Sequence, residues 1–125
     1  MPTVVRFLLC FAALAAFSGV MGGALTAHLP DRFFAEGGRD MARQAIQMQM
    51  WHALAIIGIS VLMIQQGCRV LVSMSGCLMA VGTILFSVGV ALTAFWGIHP
   101  GPVAPTGGSM LMLAWLLLAV GVMRS

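Results

Sequence analysis

Four side chains of this sequence are of types that could do chemistry together: His28, His52, His99 and Met48. Imidazole and thioether groups ligate transition metals, and an imidazole changes charge near neutral pH. Met48 and His52 are four residues apart, which would put both on one helical face. His28 closes the first apolar stretch, His52 stands near the start of the second and His99 lies in the third polar connection, so all three are expected at the same membrane face. Such a cluster could hold a metal, relay protons, or simply join helix ends. A joint is the expected role. His28 and His52 would approach each other at the outer interface, each neutral ring donating from one nitrogen and accepting at the other, and would satisfy carbonyls left open at the end of the first span. No metal and no other cofactor is expected.

Nothing else in the chain reads as a reaction centre. Ser87, Thr83 and Thr93 have no evident base to activate them. Cys10, Cys68 and Cys77 follow no metal-ligand spacing, and their odd number argues against a closed disulfide framework. No ionisable residue falls in the middle of an apolar stretch. Pumps, ion carriers and intramembrane hydrolases usually need one there. The chain is therefore expected not to be an enzyme.

The charges themselves show what must position these side chains. Arg6, the group Asp31, Arg32, Glu36, Arg39, Asp40 and Arg43, then Arg69 and Arg124 cut the chain into uncharged stretches of membrane length. A helix needs roughly 20 apolar residues to cross ~30 Å of hydrocarbon. The chain is 61% hydrophobic and only 7% charged, with mean hydropathy +1.05, whereas a soluble domain carries about 25% charged residues. Water cannot solvate such a surface, so a lipid bilayer is the expected solvent. The expected architecture is all-α: an integral membrane four-helix bundle over residues 1–125. Its spans would run at about 4–27, 48–64, 70–95 and 108–123, with a short interfacial helix from about residue 39 leading into the second. The long apolar run of residues 7–27 exceeds a signal-peptide core of about 7–15 residues and is expected to stay as the first span. The loops are too small for a nucleic-acid-binding module, and the net charge of +3 comes from arginines at span ends.

Small residues should let these helices pack, because in lipid close backbone approach gains dispersion contacts. Ala15, Gly19, Gly23 and Ala27 recur at four-residue steps in span one, and Gly76, Ala80, Thr83 and Ser87 at similar steps in span three. Both stripes are expected to face other helices. Arginines at the N-terminus, second connection and C-terminus have no acidic neighbours, while those of the first connection do. The positive-inside tendency then places both termini in the cytoplasm.

Four local strings resemble one family. Gly23-Ala24-Leu25-Thr26-Ala27-His28-Leu29 is similar to the Gly-Ala-Phe-Gly-Ala-His-x-Leu motif of the YgdD-like family of small bacterial inner-membrane proteins. Gln49-Met50-Trp51-His52-Ala53-Leu54-Ala55 resembles its aromatic-flanked His-Ala-Leu-Ala. Gly82-Thr83-Ile84-Leu85-Phe86-Ser87 is similar to its Gly-x-x-Leu-Phe-Ser. Pro105-Thr106-Gly107-Gly108, followed by Ala114-Trp115, resembles its Thr-Pro-x-Gly-Gly and Gly-Trp. The chain departs from the pattern at Thr26, Met48, Ala91 and Ala104, and His99 is not a family position. The resemblance implies a four-span protein of the bacterial inner membrane and supplies no activity.

The expected function is that of a non-enzymatic accessory, assembly or structural protein that packs against other membrane proteins or itself. A small oligomeric transport or permeation protein is the alternative, as is a metal- or haem-associated protein using His28 and His52. The bilayer and other membrane proteins are the expected partners, and nucleic acid is not.

Overall fold

The computed structural model describes residues 1–124. Four α-helices follow in order: α1 (Thr3–His28), α2 (Gly38–Gln66), α3 (Val70–Trp96) and α4 (Val103–Met123), with a single 3-10 turn at Asp31–Phe33. All four are long and apolar enough to cross a membrane. The shortest, α4, has 21 residues and at 1.5 Å per residue reaches roughly 31 Å, enough to cross the hydrocarbon layer.

The chain lays α1 against α2, α2 against α3 and α3 against α4, while α1 and α3 meet only over a short length. One core draws on all four helices: Val5, Leu8 and Ala12; Ile56, Ile59 and Met63; Val72 and Met79; Leu111 and Ala114. Most remaining large apolar side chains, such as Phe7, Leu14, Val70 and Leu116, stay exposed on the outside of the bundle, as a bilayer solvent requires.

The tightest seam joins α3 to α4 and repeats every seven residues. On α3 it runs Ser75, Gly82, Gly89; on α4 it runs Gly107, Ala114, Gly121, in antiparallel order, and all six are buried. A seven-residue repeat keeps one face against a neighbour in left-handed packing. A methyl group at Gly107 would come within 2.5 Å of the Phe86 nitrogen and 2.8 Å of the Gly82 oxygen, and one at Gly89 within 2.8 Å of the Ala104 nitrogen. Only glycine allows the two backbones this approach. The Ser75 hydroxyl adds a 2.7 Å hydrogen bond to the Ala114 carbonyl.

The small-residue stripe of α1 is corrected by the structure. Its buried face is Val5, Leu8, Ala12, Ala15, Gly19 and Thr26, advancing by alternating steps of three and four as far as Gly19 and then by seven. Strict four-residue steps drift around a helix of 3.6 residues per turn. Hence Ala15 and Gly19 are buried, whereas Gly23 has nothing near its absent side chain and Ala27 is exposed. On α3, Gly76 meets Leu8 and Ile59. Thr83 is buried, and Ala80 and Ser87 are half-buried.

One helix start agrees with the sequence reading and one differs. The lead-in expected from about residue 39 runs unbroken into the second span. Residues 39–47 are the first turns of α2, continuous with the rest, and Gly37 in a left-handed conformation (φ 70°) marks the start. α4 begins at Val103 rather than near residue 108. Pro105 lies in its first turn, where a backbone N–H would have no intrahelical partner, so proline is tolerated.

Candidate functional site

His52 lies midway between Gly38 and Gln66 on α2 and is buried. Its Nδ1 is 2.7 Å from the Met48 carbonyl, and its Nε2 is 3.0 Å from Nε1 of Trp115 on α4. An indole nitrogen only donates. Nε2 must therefore accept, Nδ1 carries the proton and donates to Met48, and the ring is neutral. The two rings meet edge-on, with centroids 5.8 Å apart. Both imidazole nitrogens are thus occupied.

This geometry corrects the expected histidine joint. The expectation took His52 to be near the start of its helix. The ten further residues at the start of α2 put it about 21 Å along the axis at 1.5 Å per residue. His28 ends α1 and is exposed, and His99 lies exposed in the connection before α4. His99 does line a cavity of about 210 Å³ with Met41, Gln44 and Thr93, but neither His28 nor His52 reaches it. Met48 contributes its carbonyl to His52 rather than a thioether. Among the described residues no three histidine, cysteine or acidic side chains gather as metal ligands would.

The open end of α1 is closed by Arg39 instead. Its guanidinium donates to the carbonyls of Thr26 and Leu29 and to Asp31 Oδ1, the last two at 2.8 Å. It also lies over the Phe34 ring, 4.5 Å from its centroid, and Phe34 stacks on Phe95 at 5.0 Å. The first connection is thereby fastened to the ends of both α1 and α3, and the Ala35 N–H adds a 2.8 Å bond to the Ala94 carbonyl. A planar fork of donors suits several acceptors at once. The sequence reading had placed Arg39 only at the start of the lead-in to the second span.

A second polar group lies deeper. Gln49 Nε2 donates to the Ala15 carbonyl and to Ser18 Oγ, each at 2.7 Å. Ser18 Oγ in turn donates to the Ala15 carbonyl, so it must accept from Gln49, which fixes the amide orientation. Both amide hydrogens are used, and Oε1 has no donor among the described residues. Ala15 and Ser18 stand near the middle of α1, which sets Gln49 close to mid-depth.

Because α1 and α3 barely touch, a groove remains between them, floored by α2. One cavity of about 430 Å³ is lined by Phe11, Leu14, Gln49, Thr83 and Ser87 among others. A second, of about 230 Å³, shares Ser18, Gln49 and Ser87 with it and continues past Thr26 and Ala45. No charged residue, histidine or cysteine lines either. The hydroxyls of Thr83 and Ser87 are buried and lack any hydrogen-bond partner. The Ser73 hydroxyl, away from both cavities, is likewise buried and without a partner, whereas Ser60 bonds the Ile56 carbonyl and Thr93 the Gly89 and Ile98 carbonyls. Sequence reading listed Thr83 and Ser87 as packing residues. It had no means of seeing that α1 stands away from α3 at this level.

The family model described as "Protein of unknown function (DUF423)" matches residues 22–108. The chain belongs to this family. A UPF0382 inner membrane protein, YgdD of Escherichia coli strain K12, is 32% identical over 124 residues, covering 95% of this chain and 91% of the relative. A UPF0382 membrane protein of Staphylococcus haemolyticus is 26% identical over 120 residues, covering 95% and 97%. No solved structure matches the chain. The DUF423 match takes in Arg39, Gln49, His52, Thr83 and Ser87, and it ends before Trp115. Membership supports a multi-pass membrane protein and assigns no activity.

Proposed function

We propose that the protein is a non-catalytic accessory protein of the inner membrane, and that the groove between α1 and α3 is its working surface. The observation that carries this reading is a largely apolar groove between α1 and α3 with the amide of Gln49 fixed at mid-depth on its floor and no charged residue, histidine or cysteine along it. Polar groups inside a bilayer are costly and find partners. The Gln49 amide hydrogens are spent on Ala15 and Ser18, which leaves Oε1 free to accept from a molecule in the groove. Catalysis by acid–base or nucleophilic routes needs a poised base or an activated nucleophile within reach, and the groove offers neither. His52, whose two nitrogens are already bonded, acts as a structural link between α2 and α4. Both termini lie in the cytoplasm in this reading, with Arg6, Arg69 and Arg124 on that side.

The test is to fill the groove. Wild-type protein and a Thr83→Phe/Ser87→Phe variant are purified in mild detergent, and the molecules retained by each are compared by mass spectrometry. At least one species bound by the wild type is expected to be lost from the filled variant while the helical content stays unchanged. Identical sets from two folded proteins would contradict the reading.

A further inference from the structure

At the end of the bundle away from the first connection, the start of α3 packs closely on the end of α4. A methyl group at Gly121 would come within 3.1 Å of Leu71 Cβ and 3.3 Å of the Val72 nitrogen. Arg69 stands just before this contact and Arg124 just after it. Both arginines border one cavity of about 390 Å³, together with Val70, Leu71 and Gly121. We propose that Arg69 and Arg124 hold the phosphate of an anionic phospholipid between the start of α3 and the end of α4. This site is separate from the groove between α1 and α3.

Charge is the first reason. Among the described residues neither guanidinium has an ion pair or a side-chain hydrogen bond; those belong to Arg39 and Arg43. The three acids of the chain, Asp31, Glu36 and Asp40, all lie at the opposite end of the bundle. Two like charges thus border one space with no protein anion to offset them, and they repel unless an anion joins them. A phosphate has two non-bridging oxygens, and each suits a guanidinium fork. The positive end of α3 acts in the same sense, since its first turn carries no acid and no side-chain cap.

Depth is the second reason, and it selects a lipid over a soluble anion. Both helices are membrane-length, so a cavity at their ends lies at headgroup level, where basic pockets between spans take acidic headgroups. Val70 lines the cavity and is 73% exposed. Met74, one turn deeper on the same face, is exposed as well. An acyl chain leaving the headgroup can run along these two side chains, from which free phosphate gains nothing. A zwitterionic headgroup brings its own cation to the two arginines and is disfavoured.

The test is native mass spectrometry of the full chain, released from micelles doped with equal amounts of phosphatidylglycerol and phosphatidylcholine of the same acyl chains. Phosphatidylglycerol is expected to be retained in roughly tenfold preference, the effect of one charge-assisted bond. Arg69→Gln and Arg124→Gln should each abolish that preference, and the double variant should add little, because one phosphate needs both forks. Arg6→Gln, in the first turn of α1 and outside the cavity, should keep it. Equal retention of the two lipids by the wild type overturns the site, and that comparison needs no variant to fold. An equal loss in Arg6→Gln overturns it too, since diffuse surface charge would then suffice. Displacement of the lipid by excess inorganic phosphate would show a free-anion site and reject the lipid assignment.

Discussion

The Trp115 indole donates to His52 Nε2 across 3.0 Å, joining α2 to α4, two helices whose principal packing is on α1 and α3 rather than on each other. A bond between helices that are not main neighbours ties the outer helix α4 to the second layer of the bundle. It also spends the imidazole nitrogen that a metal would use.

This bond gives the first prediction. Trp115→Phe leaves Nε2 buried and unpaired, at a cost of about 1–3 kcal/mol. His52→Leu removes the ring that donates to the Met48 carbonyl and accepts from Trp115. In a double-mutant cycle by thermal unfolding in detergent, the two changes should couple by about 1 kcal/mol. Strict additivity would show that the bond contributes nothing.

Arg39 gives the second. Its side chain is 25% exposed while its partner Asp31 is 98% exposed. The ion pair itself should therefore matter little, and the carbonyls of Thr26 and Leu29 should matter more. Arg39→Gln is expected to cost about 2 kcal/mol, from lost hydrogen bonds to a charged donor. Asp31→Asn should change stability by about 0.5 kcal/mol or less. Protease cleavage within residues 29–37 should rise for Arg39→Gln only, and a reversed order of the two effects would sink this account of the connection.

Glycine positions give the third. Gly107→Ala pushes a methyl group onto the backbone of Phe86 and Gly82 and is expected to destabilise by about 1–3 kcal/mol through overpacking. Gly23→Ala meets nothing within 4 Å and gains helix propensity, so it should be neutral or stabilising by up to about 1 kcal/mol. Thermal unfolding of the two variants side by side checks the sign of each.

The contrast between those glycines shows what the sequence could and could not convey. Four spans were legible because the charges delimit three uncharged stretches and the run from His99 to Pro105 divides the third, and the family strings lie in order along the chain. The seam of α3 with α4 was not, because its repeat is seven residues through Ser75, Gly82 and Gly89, and the stripe sought at four- or three-residue steps began from Gly76. The depth of His52 was missed because residues 39–47 read as an interfacial lead-in and the span was started near residue 48, which displaced His52 from mid-helix to the membrane surface in the reading. Every later inference about a histidine cluster inherited that displacement. Trp115 could have been suspected as a donor to another helix, since an indole N–H in mid-span needs an acceptor. The groove had no local signal at all, since it exists only because α1 and α3 diverge above α2.

Orientation gives the fourth prediction. Cys68 is exposed between α2 and α3, and Glu36 is exposed between α1 and α2, at the opposite end of the bundle. In a Cys10→Ala/Cys77→Ala background, a membrane-impermeant maleimide added to intact spheroplasts should leave Cys68 unlabelled. With Cys68 also replaced by alanine, Glu36→Cys should label from outside. The reverse pattern would invert the topology.

The central claim is that the groove between α1 and α3 is occupied in the membrane. Site-specific photocrosslinking in living cells tests it most directly, with a photoreactive amino acid placed at Ile84 on the groove wall or at Leu116, an exposed residue on α4. The account predicts a discrete adduct from position 84 that disappears when Thr83 and Ser87 are replaced by phenylalanine, and only diffuse lipid labelling from position 116. The same diffuse labelling from both positions would contradict it.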